Sequence, residues 1–452
     1  PPQGFSTRRI EPLLNNGNSA IHGYLHANKE SVCCDDPLTT HPAIAAADLV
    51  LLDLSTLPPS VSVDDFDTSV CAISWYGLHG PYADFNGSDA SVYALTGVMQ
   101  GVGESQGPPI IPTGYQPQIV GGLSAFNGAA AYLLGQHLKG DDKPAAFCLD
   151  ASIWEANMCL TDIGAAMSFN QEPLPQRMGI NRFAPTYPLG IWPCKDGWLG
   201  VTVLNPAQWF AFCELLGLDD FAAEPKYQNS MARLEDVELL EPRILEALSQ
   251  QSAEDLFYRG QSMRIPLARV PTMEELLTVD QYVQRQAFSE YSCEGETFQA
   301  PSCPFRLLET PPLFGGDAAN LGADNQGWDT ESLSTNDSLD TSQCDSKGEG
   351  DSIISQGPLE GITIVDLSMG WAGPLATRNL ADLGATVIKI ESCTRFDWFR
   401  SWEASQEWID NNGAEKEVRF INLNRNKLDV TLDFESKVGR DLLLRLVAKA
   451  DA

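Results

Sequence analysis

Basic residues are scarce in this chain of 452 residues. It has 29 lysines and arginines against 61 aspartates and glutamates, and its formal net charge is −32. A protein that binds DNA or RNA needs a cationic surface to neutralise the phosphates, so this charge argues against nucleic acid as a partner. It also disfavours an anionic membrane surface. A polyanionic ligand would have to be held by helix N-termini and a few local cations.

Patterned cysteines and long apolar runs are also missing. The eleven cysteines contain no C-x-x-C pair and, with the five histidines, give no metal-ligand spacing. We therefore predict reduced thiols, no metal and a cytoplasmic protein, with a mitochondrial or peroxisomal location left open. No apolar run reaches the roughly 20 residues that a membrane span needs. The first residue is not Met, and Ala452 ends a helical pattern, so we expect a longer parent protein.

The most informative segment is residues 361–391, which has the pattern of a strand, a turn, a helix and a second strand. Ile362–Val365 is β-branched and mostly apolar, as in a buried parallel strand. Pro374 stands in the first turn of a helix predicted over Leu375–Leu383, where its missing N–H costs nothing. Thr386–Ile390 is the second strand. The turn leaves N–H groups at a helix N-terminus, where phosphate binds well, although its glycines do not read G-x-G-x-x-G.

Written out, this segment reads G-I-x-I-V-D-L-S-x-x-x-A-G-P-x-A-T-R-x-L-A-D-L-G-A-x-V-I-K-I-E. It resembles the opening of the family III CoA-transferases (CaiB/BaiF type), which include formyl-CoA transferase, carnitine-CoA transferase and α-methylacyl-CoA racemase. The resemblance implies an α/β fold, with a Rossmann-like parallel sheet and a smaller α+β domain, whose chains interlock in pairs. Alternating strand and helix patterns also favour this class. The family opening normally stands at an N-terminus, whereas here it begins at residue 361.

The first region follows the family order from a later point. Residues 71–89 resemble "S-x-x-G-x-x-G-P-Y-A-D-x-x-G-x-D", and Leu149–Ala156 resembles "V-D-V-S-L-x-E-A". A stretch that begins at Tyr187 resembles the start of the small domain, which we predict over residues 187–277. Residues 1–326 therefore resemble one family repeat without its N-terminal strand–helix–strand unit.

Residues 358–452 resemble the N-terminal part of a second repeat. An internal match supports this interpretation, since Asn426-Lys427-x-x-Val430-x-x-Asp433 repeats Asn28-Lys29-x-x-Val32-x-x-Asp35. We therefore expect the parent protein to be a tandem of two such units.

A polar, acidic stretch separates the two regions. From Asp317 to Asp351 it has nine acidic residues against the single Lys347. Such a composition cannot bury enough apolar surface to offset its ordering entropy. We predict a disordered linker, drawn at its widest from Gly315 to Gly357 and with its core over residues 327–357, and we expect proteases to cut residues 317–355 readily.

The resemblance implies acyl transfer through a carboxylate. An aspartate attacks the thioester and forms an acyl-aspartyl anhydride, and the CoA thiolate leaves and later returns. In the family this aspartate lies just before a helix that corresponds here to Gly121–Leu138, and Gln118 occupies its position. Neither Pro117 nor Ile119 is acidic, and glutamine cannot form the anhydride. We expect residues 1–325 to lack the nucleophile, and Gln118→Asp alone not to restore turnover if a partner half-site is missing.

Other carboxylates stand in matched motifs. For Asp84 and Asp89 we predict turn hydrogen bonds, and for Asp150 a hydrogen bond at a strand end or helix cap. The racemase branch of the family instead pairs a histidine with the same aspartate, because proton removal and return need two bases. Here those positions are Ser88 and Gln118, and His79 is the only histidine near the motif.

The resemblance also implies a set of CoA-binding residues in the second region. Gly370, Trp371 and Ala372 correspond to the loop beside the CoA diphosphate and pantetheine. Ser392 stands where many members have a phosphate-binding arginine, for which Arg395 could substitute, and Leu432 stands at the adenine contact. Without the resemblance, Trp371 would be a packed loop aromatic, and Asn426–Lys427 a turn with a solvated cation.

Three functions remain open from the sequence. The first is a CoA-transferase whose activity belongs to the complete tandem protein, acting on an acyl-CoA and a carboxylic acid. The second is a CoA-dependent racemase or isomerase. The third is a non-catalytic pseudoenzyme half that binds CoA or a partner. In each case we expect a homodimer or pairing of the two repeats within one chain, and no nucleic acid, membrane or metal.

Overall fold

The structure is a computed structural model that describes residues 4–33, 39, 41–140, 146–169, 177–328, 357–392, 394–400 and 405–452. It contains strands β1 to β12: Val50–Asp53, Val70–Ser74, Cys148–Ser152, Leu189–Cys194, Gly197–Thr202, Leu267–Arg269, Phe288–Cys293, Glu296–Pro301, Gly316–Ala318, Thr363–Asp366, Thr386–Glu391 and Leu428–Thr431. It contains α-helices α1 to α18: Ala20–His26, Pro42–Ala45, Asp89–Thr96, Gln116–Lys139, Ile153–Asn157, Asp162–Phe169, Pro206–Leu216, Asp219–Ala223, Ser230–Glu235, Val237–Ser249, Ala253–Ser262, Met273–Leu276, Asp280–Gln284, Ala372–Asp382, Gln406–Asp410, Gly413–Lys416, Val418–Leu423 and Lys437–Val447.

The chain forms two compact units, and each combines segments that are distant in sequence. Unit 1 comprises residues 1–43 and 178–338, and unit 2 comprises residues 44–177 and 339–452. The second region therefore belongs to the same unit as the middle of the first region.

Unit 2 contains two parallel three-stranded sheets. One has the order β1-β2-β3 and the other β10-β11-β12. In the second sheet Thr363 pairs with Thr386 and Ile388 with Leu428, so β11 is the central strand. Parallel strands joined through helices define an α/β unit. The predicted fold class is confirmed.

The strand–helix–strand prediction for residues 361–391 is also confirmed. Strand β10 begins one residue later than predicted, and β11 runs from Thr386 to Glu391. Helix α14 begins at Ala372, with Pro374 in its first turn. Apolar residues of both strands and of the helix share one core, which includes Ile364, Ala381 and Val387.

In unit 1, the residues predicted to form the small domain include an antiparallel sheet, β4-β5-β6, packed on helices. Helices α7 and α10 pack on this sheet, and α10 contains Pro242 in its interior. Asn205 caps the N-terminus of α7, because its side chain accepts a hydrogen bond from the N–H of Gln208. The core contains Trp192, Trp209, Leu240 and other residues that are almost fully buried.

Unit 1 extends beyond the residues predicted for the small domain. It also includes the sheet β8-β7-β9 and helix α1. Strand β9, Gly316–Ala318, pairs with β7, and the carboxylate of Asp324 accepts a hydrogen bond from the N–H of Ser31 at 2.7 Å. Ordered structure thus continues to residue 328, so a linker beginning at Gly315 is wrong. Composition does not predict strand β9, because its backbone hydrogen bonds are made to β7, which is distant in sequence. Residues 329–356 of the predicted linker lie outside the described residues.

The repeated Asn-Lys pairs have the same backbone conformation. Asn28 has φ 61° and Asn426 has φ 62°, in the left-handed region that asparagine tolerates better than most residues. The side chain of each bonds to a neighbouring segment, Asn28 to the carbonyl of Gly315 and Asn426 to the carboxylate of Asp382. The match in sequence is therefore accompanied by a match in local geometry.

Two stacked histidines are expected to make the stability of unit 1 depend on pH. His22 and His26 lie with ring centroids 4.4 Å apart, and Nδ1 of His22 is 2.9 Å from the hydroxyl of Thr7. Burial and the nearby charges of Arg8 and Lys29 together lower the pKa of both to about 4, and the charge of His26 contributes to the lowering at His22. The folded protein favours the neutral histidines over the charged ones, because their pKa in the folded state lies below the unfolded value of 6.5. This contribution to stability is therefore fully present above pH 6.5 and is lost as pH falls towards 4.

We expect unit 1 to lose stability on the order of 2 kcal/mol per histidine over this range. Urea denaturation at several pH values between 7 and 4 measures it. His22→Gln should flatten the profile, while a change at the exposed His79 should leave it unaltered. Equal pH profiles for both variants would contradict the assignment.

No helix within the described parts of the chain has the length and apolar character needed to cross a bilayer.

Candidate functional site

One edge of the sheet β10-β11-β12 gathers the predicted CoA-binding residues. Because the strands are parallel, their carboxyl ends meet at the same edge, where α/β proteins bind ligands. Gly370–Ala372 follow β10, Ser392 and Arg395 follow β11, and Leu432 follows β12. The backbone N–H of Leu432 donates to the carbonyl of Glu391 at 2.9 Å, which joins two of these strand ends.

The loop after β10 is fixed by a buried ion pair. The ammonium group of Lys389 lies 3.4 Å from the carboxylate of Asp397 and donates to the carbonyl of Ser368 at 2.9 Å. The Asp397 carboxylate accepts the N–H of Gly370 at 3.2 Å. Side-chain exposure is only 2% for Lys389 and 1% for Asp397, so water screens neither charge. The loop is thus held from both sides before any ligand binds.

Gly370 itself is required by this geometry. Its φ is +77°, and a Cβ atom there would stand 3.0 Å from the indole of Trp398. Its N–H is committed to Asp397. Among the described residues, the N–H groups of the next three positions have no acceptor, so the donors left for a ligand are those of Trp371, Ala372 and Gly373.

The other members of the set differ in how available they are. Trp371 packs edge-on against Phe399 with 5.7 Å between centroids, yet 45% of it is exposed, so it is both a packed aromatic and an accessible surface. Ser392 is buried, and its hydroxyl bonds to that of Thr394 at 3.0 Å. Arg395 is 70% exposed and pairs with Glu435 at 3.0 Å. Arg395 is therefore better placed than Ser392 to reach a phosphate.

Lys427 is not the solvated cation of a turn. Its side chain is 2% exposed, and its ammonium lies 3.0 Å from the carboxylate of Asp366 and 3.0 Å from the carbonyl of Pro374. Burial alone would raise the pKa of Asp366, but hydrogen bonds from Ser368, Thr377 and Lys427 lower it to about 2. The solvated interpretation was wrong because the sequence does not show that Asp366 stands opposite. Lys427 fixes the start of α14.

Sequence reasoning missed Lys389 and Asp397. Lys389 does carry a signal, because a lysine inside a β-branched, buried strand requires an internal partner. Asp397 carries none, since it lies in an irregular segment and is brought to Lys389 by the tertiary fold. Arg400, which ion-pairs with Glu391 at 2.8 Å and lies over the ring of Phe420, was missed for the same reason.

A second group of predicted residues lies in the first region. The side-chain amide of Gln118 donates to the carboxylate of Asp89 at 2.7 Å, and the Gln118 N–H lies 3.4 Å from the same carboxylate. This bond joins the first turns of α3 and α4. The turn role predicted for Asp89 was wrong, because its partner stands 29 residues away. The structure thus places a carboxylate beside the position where the family has its nucleophile.

The remaining candidates have ordinary structural roles. The carboxylate of Asp150 accepts a hydrogen bond from the N–H of Leu78 at 2.9 Å. The N-terminus of α5 is capped by Ser152 and not by Asp150. Ser88 caps α3 in a reciprocal arrangement with Ser91. Asp84 and His79 are exposed. A base of the racemase type is thus absent at position 88, where a serine bonds to backbone.

Comparison with known proteins gives one consistent family. The model of CoA-transferase family III matches residues 70–325 and 359–452. A probable CoA-transferase of Mycobacterium tuberculosis is 24% identical over all of this chain and 56% of its own length. A succinate–glutarate CoA-transferase of Agrobacterium fabrum is 25% identical over 56% of this chain and 62% of its own length. The chain spans little more than half of these relatives.

Solved structures share the fold. A CaiB/BaiF family protein from Brucella suis superposes with a TM-score of 0.61 at 19% identity, over 72% of this chain and 88% of that one. At this identity the likeness is evidence for the fold alone.

Proposed function

Because the chain belongs to CoA-transferase family III, we propose that it is part of an enzyme that moves CoA between carboxylic acids. The reaction in the complete protein proceeds through an acyl-aspartyl intermediate. This chain supplies a CoA-binding edge, while Gln118 leaves its first region without the nucleophile. The observation that carries the proposal is the gathering of the predicted CoA-binding residues at the carboxyl edge of β10-β11-β12.

The edge suits a diphosphate. Trp371, Ala372 and Gly373 offer backbone N–H groups at the start of α14, an eleven-residue helix whose dipole favours an anion. Arg395 adds an exposed cation on the next strand end. Since the net charge of the chain is −32, attraction for CoA must come from these local donors and not from the global field.

The chemistry requires an acyl group to be passed to a carboxylate. Asp attacks the thioester carbon, the C–S bond breaks and CoA leaves as a thiolate, and the thiolate returns after the acids exchange. The amide of Gln118 lacks the negative oxygen that this step needs. Its bond to Asp89 instead holds the two helix starts together.

One further function has a specific observation in its favour. The side chains of Gln118 and Asp89 are bonded to each other, as in a structural pair, and this favours a pseudoenzyme role for the first region, in which it binds CoA or a partner without reacting. The racemase alternative is the weaker one, since Ser88 and Gln118 replace both bases. Pairing of two family units, within one chain or between chains, and a cytoplasmic location remain predictions of the sequence.

We expect weak, salt-sensitive CoA binding without an acyl adduct in residues 1–325. Calorimetric titration of CoA at two salt concentrations tests the first half, since exposed phosphate contacts weaken as salt rises. Incubation with an acyl-CoA, followed by hydroxylamine trapping and mass spectrometry, tests the second.

Arg395→Ala should weaken CoA binding about three- to tenfold, a loss of roughly 1 kcal/mol. Arg445→Ala, which makes the same charge change at the C-terminal end of α18, is the matched control. Equal losses in the two variants would remove Arg395 from the site. No CoA binding by a folded chain would refute the CoA-binding edge, and an adduct on any carboxylate of residues 1–325 would refute the loss of the nucleophile.

A further inference from the structure

Residues 405–419 and helix α6 line a cavity in unit 2. Its volume is about 500 Å³, which lies within the range of small-molecule sites in proteins. The described residues of its lining include neither the predicted CoA-binding residues nor the Asp89–Gln118 pair. The proposed function therefore leaves this cavity without a role.

One part of the lining is apolar. Ile163 and Met167 stand one turn apart on α6, and Val418 is the first residue of α17. The indole of Trp408 lies against Gly413, where a Cβ atom would overlap the ring. The position of the ring thus requires glycine at 413. A ligand with a small hydrocarbon body can pack against these side chains.

Two charged side chains of the lining are paired with each other. The carboxylate of Glu417 lies 2.7 Å from the guanidinium of Arg419, and it also accepts the N–H of Arg419 at 3.3 Å. These two opposite charges balance each other at the start of α17. They leave no excess charge for a ligand to neutralise.

Two further charged side chains of the lining have opposite signs and no partner. Among the described residues, Glu407 and Lys416 make no side-chain hydrogen bond or ion pair, although both line the cavity. They belong to different helices, α15 and α16. A ligand that carries both a cation and an anion can bond to both groups, whereas a ligand with a single charge leaves one of them without a partner.

Arg400 holds helix α16, which carries Lys416, in place. The guanidinium of Arg400 pairs with Glu391 at 2.8 Å at the end of β11 and with Glu415 at 3.0 Å. It also donates to the carbonyl of Ala414 at 3.1 Å. Helix α16 is thus tied to the sheet β10-β11-β12, and a wall that is already in place lowers the ordering cost of binding.

We propose that this cavity binds a small zwitterion, namely an α-amino acid with an apolar side chain. The carboxylate of the ligand bonds to Lys416, and its ammonium group bonds to Glu407. Its side chain packs against Trp408 and Met167. This site is independent of the proposed CoA binding, so its tests are made without CoA and their outcome does not depend on the CoA-binding edge.

Leucine and two of its analogues test the charge pattern. The full chain is titrated calorimetrically with L-leucine, with 4-methylpentanoate, which lacks the ammonium group, and with 3-methylbutylamine, which lacks the carboxylate. We expect leucine to bind about fivefold more tightly than either analogue, because each analogue leaves one charge of the cavity without a partner. Equal affinity for leucine and one analogue would overturn the zwitterion. A folded chain that does not bind leucine up to its solubility limit would overturn the site.

Photo-leucine, the diazirine analogue of leucine, locates the bound ligand. After irradiation and proteolysis, mass spectrometry should find the label on peptides that contain Met167 or residues 405–419, and an excess of leucine should remove it. Labelling that is sensitive to leucine but confined to other peptides would overturn the assignment to this cavity.

Charge variants test the two polar contacts. Lys416→Gln and Glu407→Gln should each weaken leucine binding about three- to fivefold. Both residues are exposed, so neither change should disturb the fold. Lys449→Gln and Glu360→Gln make the same charge changes at exposed positions outside the lining and are the matched controls. Losses as large in the controls would show that the net charge, and not the cavity, determines binding.

A glycine variant changes the cavity without changing its charge. Gly413→Ala should weaken leucine binding about threefold or more, because the new methyl group displaces the indole of Trp408. Gly164→Ala on α6 is the matched control, since nothing lies within 4 Å of a Cβ atom there. Leucine affinities that are equal in the two variants would remove Trp408 from the site.

Discussion

Replacing Lys389 by methionine is expected to lower the stability of unit 2 by about 3–5 kcal/mol, the usual result of leaving one partner of a buried ion pair without its counter-charge. Asp397 would remain 1% exposed and would lose the ammonium group of Lys389. Lys389→Met also removes the bond to the carbonyl of Ser368, so the loop after β10 loses one of its anchors. Urea denaturation, with hydrogen exchange of the Gly370 amide as the local probe, measures both effects.

A double variant distinguishes the ion pair from simple packing. Lys389→Met with Asp397→Asn should recover part of the loss, since no charge is then buried alone, and the coupling between the two changes should exceed about 0.5 kcal/mol. Glu435→Gln, in the exposed pair with Arg395, should change stability by less than about 1 kcal/mol. Additive effects at Lys389 and Asp397 would show that the pair does not act as a unit.

Replacing Gln118 by aspartate is expected to create a pair of carboxylates whose charges repel. Asp89 Oδ2 lies 2.7 Å from the side-chain nitrogen of Gln118, so an aspartate at 118 would lie a few ångströms from it. Two carboxylates at such a distance cannot both ionise freely, and the pKa of one is raised. We expect Gln118→Asp to be less stable at pH 7 than the isosteric Gln118→Asn by about 1–2 kcal/mol.

The stability difference between Gln118→Asp and Gln118→Asn should depend on pH. Below its unfolded pKa, the carboxyl group is protonated in both the folded and the unfolded state and does not destabilise the fold. As pH rises from the unfolded pKa to the raised folded pKa, ionisation favours the unfolded state and the fold loses stability. The difference between Gln118→Asp and Gln118→Asn should therefore vanish at about pH 4 or below. Asp89→Asn in both backgrounds should abolish it at every pH. Identical pH profiles for the two single variants would show that Asp89 does not contact position 118 in solution.

The sequence by itself determined the elements whose signals are local. Pro374 in a first turn located α14, and β-branched runs located β10 and β11. The family motif indicated the candidate CoA-binding residues, each of which lies in a segment that follows a strand. Because the strands pair in parallel, their carboxyl ends then lie at the same edge of the sheet.

Tertiary structure decided the features that depend on distant partners. Gly316–Ala318 is a strand only because β7 stands beside it, and Lys427 is buried only because Asp366 faces it. The link between Asp89 and Gln118 joins two helix starts that the sequence treats separately. Pro358 approaches α4 so closely that residue 135 must be glycine, although the two positions are more than 200 residues apart. Such contacts are selected by shape and charge after the chain has folded back on itself, and no local pattern encodes them.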